Sequence, residues 1–281
     1  ESTSAELMTV VMSGDGSGYS ARLSGNVEDI DPDTVAGEAV GKAQRGRNPR
    51  SLEPGDYEVV LEPAAVSDML DFLAYTGLGA MAVQEGRSFM SGKIGERVMG
   101  ANVSIWDDPL DAGGIPRPID YEGIPAQRVE LIANGIARSP AYDLRTAAKE
   151  GKRSTGHALP AAWGFGPLPR NLFLQPGEAS IDDLIHSVKC GLLVTRFWYT
   201  RVVHPLTVTM TGMTRDGTFL IENGEIVGPV KNLRFTESYV GALNRVDAIS
   251  RRTLLARDMF AVNRVPALKI SGWKFTGGTE Y

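Results

Sequence analysis

The chain has 281 residues, 42% of them apolar and 22% charged, with a formal charge of -5. This is the balance of a globular protein with a real core, long enough for one large domain or two small ones. The acidic excess argues against binding a nucleic-acid backbone, which needs clustered Lys and Arg to displace counterions.

Apolar-rich runs at 7–12 and 19–23 flank a Ser/Gly/Asp segment, the composition of a hairpin. Asp31 followed by Pro32 offers a helix start, and Val35, Ala39, Val40 and Ala43 extend an apolar stripe to about Gln44. The Pro/Gly/charged segment 49–56 reads as the best internal boundary, and 57–61 as a strand. Pro63 opens a second helix, with Val66, Met69, Leu70, Leu73 and Ala74 at helical spacing and Asp68 and Asp71 between them. Strands are expected at 102–105, 127–132, 171–174, 192–198, 206–211 and 218–221, and helices at 143–149, 181–188 and 239–249. Glu222-Asn223-Gly224-Glu225 signals a tight hairpin, because Asn-Gly tolerates positive φ at little cost. The basic stretches are 42–50 and 245–257, and the second reads as a solvated helix face. Cys190, the single cysteine, excludes an internal disulfide framework; its place in an apolar run leads us to expect a buried, inert thiol. No apolar run approaches the roughly 20 residues of a membrane-crossing helix, and no charged-then-apolar leader is visible, so a cytoplasmic protein is expected.

Several short motifs occur in a fixed order: Ser91-Gly92-Lys93-Ile94-Gly95-Glu96, Trp106-Asp107-Asp108-Pro109, Asp120-Tyr121-Glu122-Gly123, Leu131-Ile132-Ala133-Asn134-Gly135, Arg153-Ser154-Thr155-Gly156-His157, Asn171-Leu172-Phe173-Leu174-Gln175-Pro176-Gly177 and Leu220-Ile221-Glu222-Asn223-Gly224-Glu225-Ile226. Together they resemble the C-terminal domain of the TldD/PmbA family of bacterial metallopeptidase-related proteins. The resemblance implies an α+β fold: a strand-rich C-terminal domain with packed helices over 51–281, preceded over 1–50 by the end of an N-terminal α/β domain. In that family the metal-bearing member carries His-Glu-x-x-x-His on a helix, and the matching stretch here reads Asp71-Phe72-Leu73-Ala74-Tyr75-Thr76. The resemblance therefore implies a PmbA/TldE-like subunit with no metal or other cofactor of its own. It implies pairing with a TldD-like zinc-bearing subunit, or else a homodimer, that processes small or unfolded peptides. The family's description as modulators of DNA gyrase leaves a non-proteolytic protein-binding regulator as an alternative.

A helical zinc protease needs two His nitrogens on one helix face, a Glu beside the metal-bound water and one more ligand. Phe72 can neither accept a proton nor orient water, and Asp71 alone supplies one ligand where several are required. His157, His186 and His204 share no local spacing, and the acidic group Asp107, Asp108, Asp111, Asp120 and Glu122 lacks the pattern of a calcium loop. Turn capping is the expected role of those carboxylates. A stand-alone metal-dependent hydrolase built from these scattered groups is the further alternative. No Gly-x-Ser-x-Gly elbow or Walker loop occurs, so no catalytic residue is assigned. Ser154, Thr155 and His157 are candidate peptide contacts through their loop. Phe197 and Tyr199, on one face of an expected strand, are candidates for lining a groove or partner surface.

Overall fold

The computed structural model describes residues 3–279. Strands β1 (Ala5–Ser13) and β2 (Gly16–Ser24) form an antiparallel hairpin, and α1 (Pro32–Arg45) lies across it. Asp31 starts that helix by accepting the Asp33 amide at 3.2 Å, with Pro32 in the first turn. Val35, Ala39 and Ala43 are the buried stripe. The helix sits so close that a Cβ on Gly18 would lie 2.1 Å from the Ala39 carbonyl oxygen, so only glycine fits there.

The rest of the chain builds one mixed sheet. Its strands are β3 (Gly55–Leu61), β4 (Ile105–Asp107), β5 (Val129–Ala133), β6 (Ile136–Ala137), β7 (Asn171–Leu174), β8 (Cys190–His204), β9 (Thr209–Glu222), β10 (Glu225–Pro229), β11 (Leu233–Ser238), β12 (Val246–Arg257) and β13 (Val262–Gly278). The order is β10-β9-β8-β3-β13-β7-β4-β5-β6; β11 pairs with β9 and β13, and β12 with β13. The pairs β3–β8 and β13–β7 are parallel, the others antiparallel. Helices α2 (Pro63–Leu73), α3 (Ala80–Gln84), α4 (Leu144–Lys149), α5 (Ile181–His186) and α6 (Tyr239–Leu243) pack on this frame, giving an α+β fold.

Period-two alternation divides the core between the two faces of the sheet. Val59 and Leu61 of β3, Leu192 and Val194 of β8, and Leu268 and Ile270 of β13 enter the larger cluster with Val66, Met69, Leu70 and Leu73 of α2. Val60, Leu193 and Ala267 point the other way, against Leu184 and Ile185 of α5. Trp273, Phe235, Tyr239 and Phe197 form an aromatic centre in the larger cluster, with Phe197 and Trp273 stacked at 5.1 Å.

The Asn223-Gly224 turn closes β9 on β10 with φ of 51° and 82°. Four expectations need correction. The expected helix over 239–249 stops at Leu243, and from Val246 the chain becomes β12, paired along β13, so the basic stretch 245–257 is not a helix face. Non-local pairing overrides the local helical pattern there. The expected strand at 206–211 begins with the short helical turn Pro205–Thr207, and β9 starts only at Thr209. Cys190 is exposed, because it opens β8 at the sheet margin before the buried run starts at Gly191.

Finally, Phe197 is only 5% exposed and belongs to the core, whereas Trp198 and Tyr199 are 47% and 64% exposed. A bulge accounts for the paired exposure of the last two: Tyr199 has φ 56°, and the β8–β9 register shifts between Trp198 and Arg201. Two consecutive side chains therefore face solvent, and Trp198 stands beside Tyr199 in the place expected for Phe197.

Leu70 has no exposed surface and packs between α2 and the sheet. Leu70→Ala is expected to lower unfolding stability by about 2–5 kcal/mol, the range for a buried Leu that leaves a cavity. Urea denaturation with an unchanged m-value is the check.

Candidate functional site

Helix α2 gains its apolar face from Val66, Met69, Leu70 and Leu73, which turns Ser67 and Asp71 toward the segment joining β12 to β13 and Asp68 toward Tyr239 at the start of α6. Asp71 is 2% exposed. One of its oxygens accepts the amides of Phe260 and Ala261 at 3.0 and 2.8 Å, and the other lies 3.3 Å from the Phe260 amide. The Ser67 hydroxyl donates to Asp258, and Asn263 Nδ2 donates to Ser67 Oγ at 3.0 Å. Tyr239 donates its phenol to Asp68 Oδ1 at 2.6 Å.

Three carboxyl groups thus gather at one end of the helix. Asp68 and Asp258 keep some surface as residues, yet their carboxyls are bonded to the fully buried Tyr239 and Ser67. Burial, reinforced by the charge of Asp258, pushes Asp68 up to about 7. The same two causes raise Asp71 in spite of its amide donors, and burial raises Asp258. Burial likewise holds the Tyr239 phenol well above its ordinary value.

Beyond Leu73 the helix widens into the π-turn Ala74–Leu78, where the Thr76 hydroxyl donates to the Phe72 carbonyl at 2.6 Å. Phe260 stacks on Tyr75 at 4.3 Å and meets Phe72 edge-on at 6.4 Å, and Phe165 closes the group at 5.6 Å from Tyr75. Asp71, Phe72 and Thr76 therefore do not fit a zinc ion. The carboxylate is spent on main-chain amides, the phenyl ring is packed against Phe260, and the hydroxyl is turned back on its own helix. Among the described residues no three His, Cys, Asp or Glu side chains are arranged to hold a metal.

The second cluster surrounds His157, which is 5% exposed. Its Nε2 lies 2.9 Å from Asp107 Oδ2, and Asp107 Oδ1 accepts the Asn171 amide at 2.7 Å. Nδ1 lies 2.9 Å from both the carbonyl and the hydroxyl of Thr155. Ser154 is turned away from the imidazole, donating to the Tyr142 carbonyl at 3.2 Å and accepting the Gly156 amide at 3.1 Å. Thr155 Oγ1 accepts the Tyr142 amide at 2.8 Å. The three loop residues thus fix the loop, and of them His157 borders an open cleft. His186 and His204 lie on α5 and at the end of β8, in other parts of the chain. The acidic loop is occupied with capping: Asp108 accepts the Leu110 amide, Asp111 that of Gly113, Asp120 those of Glu122, Ile124 and Ala158, and Glu122 that of Leu144.

Sequence reasoning missed Asp258 and Asn263 beside Asp71, and Arg117, Arg170 and Arg257 around the His157 cleft. The spacing of Asp68 and Asp71, three apart on one helix, was the local trace of the first cluster. Proline neighbours, Pro116 and Pro118 around Arg117 and Pro169 before Arg170, were that of the second.

The profile of the PmbA/TldA metallopeptidase C-terminal domain matches residues 54–277. A protein described as a metalloprotease TldD homolog from Haemophilus influenzae is 30% identical over 171 residues, 60% of this chain and 35% of that protein. Among solved structures, a proposed modulator of a DNA gyrase from Thermotoga maritima superposes with a TM-score of 0.87 at 23% identity, over 97% of this chain and 62% of that one. TldE from Thermococcus kodakarensis gives 0.86 at 20% identity, over 98% and 62%. The chain spans about half or less of the length of the curated relatives it matches. No described helix is long and apolar enough to cross a membrane.

The carboxyl cluster sets a pH dependence. Asp68 titrates near 7 in the folded chain but at ~3.9 when unfolded, so its neutral form contributes stability that is complete below ~3.9 and lost as pH rises through 7. Asp71 and Asp258 act in the same direction. Unfolding free energy is expected to fall between about pH 4 and 7, and Asp68→Asn to flatten that slope. Denaturant titrations across the range test it; equal slopes in the two proteins would refute it.

Proposed function

Because the chain belongs to the PmbA/TldD metallopeptidase family, we propose that it is the metal-free, PmbA/TldE-like subunit of a two-chain peptidase. A TldD-like partner supplies zinc, the activated water and the general base, and the assembled pair cuts small or unfolded peptides in the cytoplasm. This chain contributes partner surface and part of the wall around the substrate. Residues 1–50 then belong to the end of an N-terminal α/β domain.

The observation that supports this reading is the state of the end of α2. Where the family motif calls for two ligands and a base, Asp71 binds the Phe260 and Ala261 amides, Phe72 packs on Phe260 and Thr76 bonds its own helix. Phe72 and Thr76 offer no base, and the Asp71 carboxyl that could accept a proton is committed to main-chain amides. Exposed Trp198 and Tyr199 offer rigid amphipathic area for the partner. Extended peptide is held through main-chain hydrogen bonds at a sheet margin, a mode that needs little side-chain specificity.

The second reading, a regulator that binds a client without cutting it, is favoured by the description of the Thermotoga maritima neighbour as a proposed modulator of a DNA gyrase. Mixing experiments separate the two. Cleavage of an unfolded peptide is expected only when this chain and a His-Glu-x-x-x-His relative are combined, and a chelator should abolish it. Phe72→Glu in this chain alone should confer no activity. Cleavage by the isolated chain with stoichiometric bound metal would overturn the assignment, and tight client binding without cleavage in any mixture would favour the regulator.

A further inference from the structure

The cleft beside His157 measures about 760 Å³, with Asp107, His157 and Asn171 among its lining. Three arginines from separate segments converge on it: Arg117, Arg170 and Arg257. Arg257 is already engaged, with Nε 3.2 Å from Glu6 and Nη2 3.1 Å from Ser4 Oγ. Arg117 and Arg170 are not: among the described residues neither guanidinium makes a hydrogen bond or ion pair, and Arg170 only overlies the Tyr121 ring at 5.9 Å. Burial first, then the neighbouring charge of Arg170, pulls Arg117 below its ordinary value.

The placement is rigid. Arg117 lies between Pro116 and Pro118, and its amide donates to the Pro109 carbonyl at 2.7 Å; Arg170 follows Pro169, and its carbonyl accepts the Val262 amide at 3.0 Å. Like charges held together in a half-buried wall repel unless an anion joins them. The charge of Asp107 offsets part of this at Arg117, but Asp107 is bonded to His157 and the Asn171 amide and Asp120 accepts three amides, and among the described residues neither forms an ion pair with these arginines.

Phosphate sites ordinarily offer several free main-chain amides. Three amides of the lining are taken: Gly156 donates to Ser154, Ala158 to Asp120 and Asn171 to Asp107. Among the described residues, the charged groups of the lining without a polar partner are two planar guanidinium forks, a geometry that suits the two oxygens of a carboxylate. Ile115 and Leu168, each 5% exposed, form an apolar wall beside them, and Tyr121 stands at the rim, 61% exposed.

We propose that this cleft binds the free C-terminal carboxylate of a peptide, Arg117 and Arg170 gripping the carboxylate while Ile115 and Leu168 receive the last side chain. The proposal rests on the peptide-processing reading and names the end of the peptide that this subunit holds.

The test uses the whole chain without a zinc-bearing partner, so a mixture that fails to cleave leaves it unaffected. An N-terminally labelled peptide ending in Leu is titrated by anisotropy at low ionic strength, as the free acid and as the C-terminal amide. The acid should bind about tenfold or more tightly, as charge-assisted hydrogen bonds imply. Arg117→Gln and Arg170→Gln should each erase most of that preference, with Arg170→Lys intermediate and melting curves confirming folded variants. Equal binding of acid and amide overturns the proposal and leaves the partnership reading intact, even if a variant misfolds. Displacement by inorganic phosphate at concentrations where acetate has no effect also overturns it, in favour of a phosphate site.

Discussion

The contact on which the rest depends is the carboxyl group of Asp71 receiving the amides of Phe260 and Ala261. It clamps α2 to the start of β13, and β13 pairs with β3, β7, β11 and β12. An apolar residue at this position would leave two enclosed amides without acceptors, at about 1–3 kcal/mol each. The same oxygens cannot serve a cation without releasing those amides. At this helix end, structural cross-linking and metal coordination compete for the same atoms, and the cross-link holds them.

Aromatic packing completes what the carboxylate begins. Phe72, Tyr75, Phe165 and Phe260 come from α2, the turn after it, the loop before β7 and the β12–β13 connection, and they meet at the end of the helix. Edge-to-face and stacked rings join these segments without a bound group. Behind them, three carboxyls share a space that favours their neutral forms. Helix α2 is thus held by side chains of the fold itself along its length.

Local chemistry was readable in the sequence, and distant pairing was not. The Asp31-Pro32 helix start, the strand at Asn171–Leu174, the Asn223-Gly224 turn and the Asp143 cap of α4 are all set by neighbouring residues. Strand β13 carries Pro266, Lys269, Gly272 and Lys274, a composition that discourages a strand reading, and becomes one because four other strands border it. The candidate sites divide in the same way. Asp68 and Asp71 share a helix face, but Asp258 and Asn263 reach them only through the β12–β13 connection. Arg117 and Arg170 each sit beside proline, yet only the folded chain brings them to one cleft. The misplacement of Phe197 follows from assuming an unbroken two-residue period through β8.

That interruption at Tyr199 has a wider effect on the β8–β9 ribbon. Before it, the ribbon is a core component, carrying Leu192, Val194 and Phe197 into the interior; after it, Val202, Val203 and Leu206 are 37%, 55% and 44% exposed. The left-handed Tyr199 interrupts the alternation, so that Trp198 and Tyr199 both face out before Thr200 turns in. A regular strand conformation at Tyr199 would turn Thr200 outward and bring Arg201 in, setting a guanidinium against an interior that has no place for an unpaired charge.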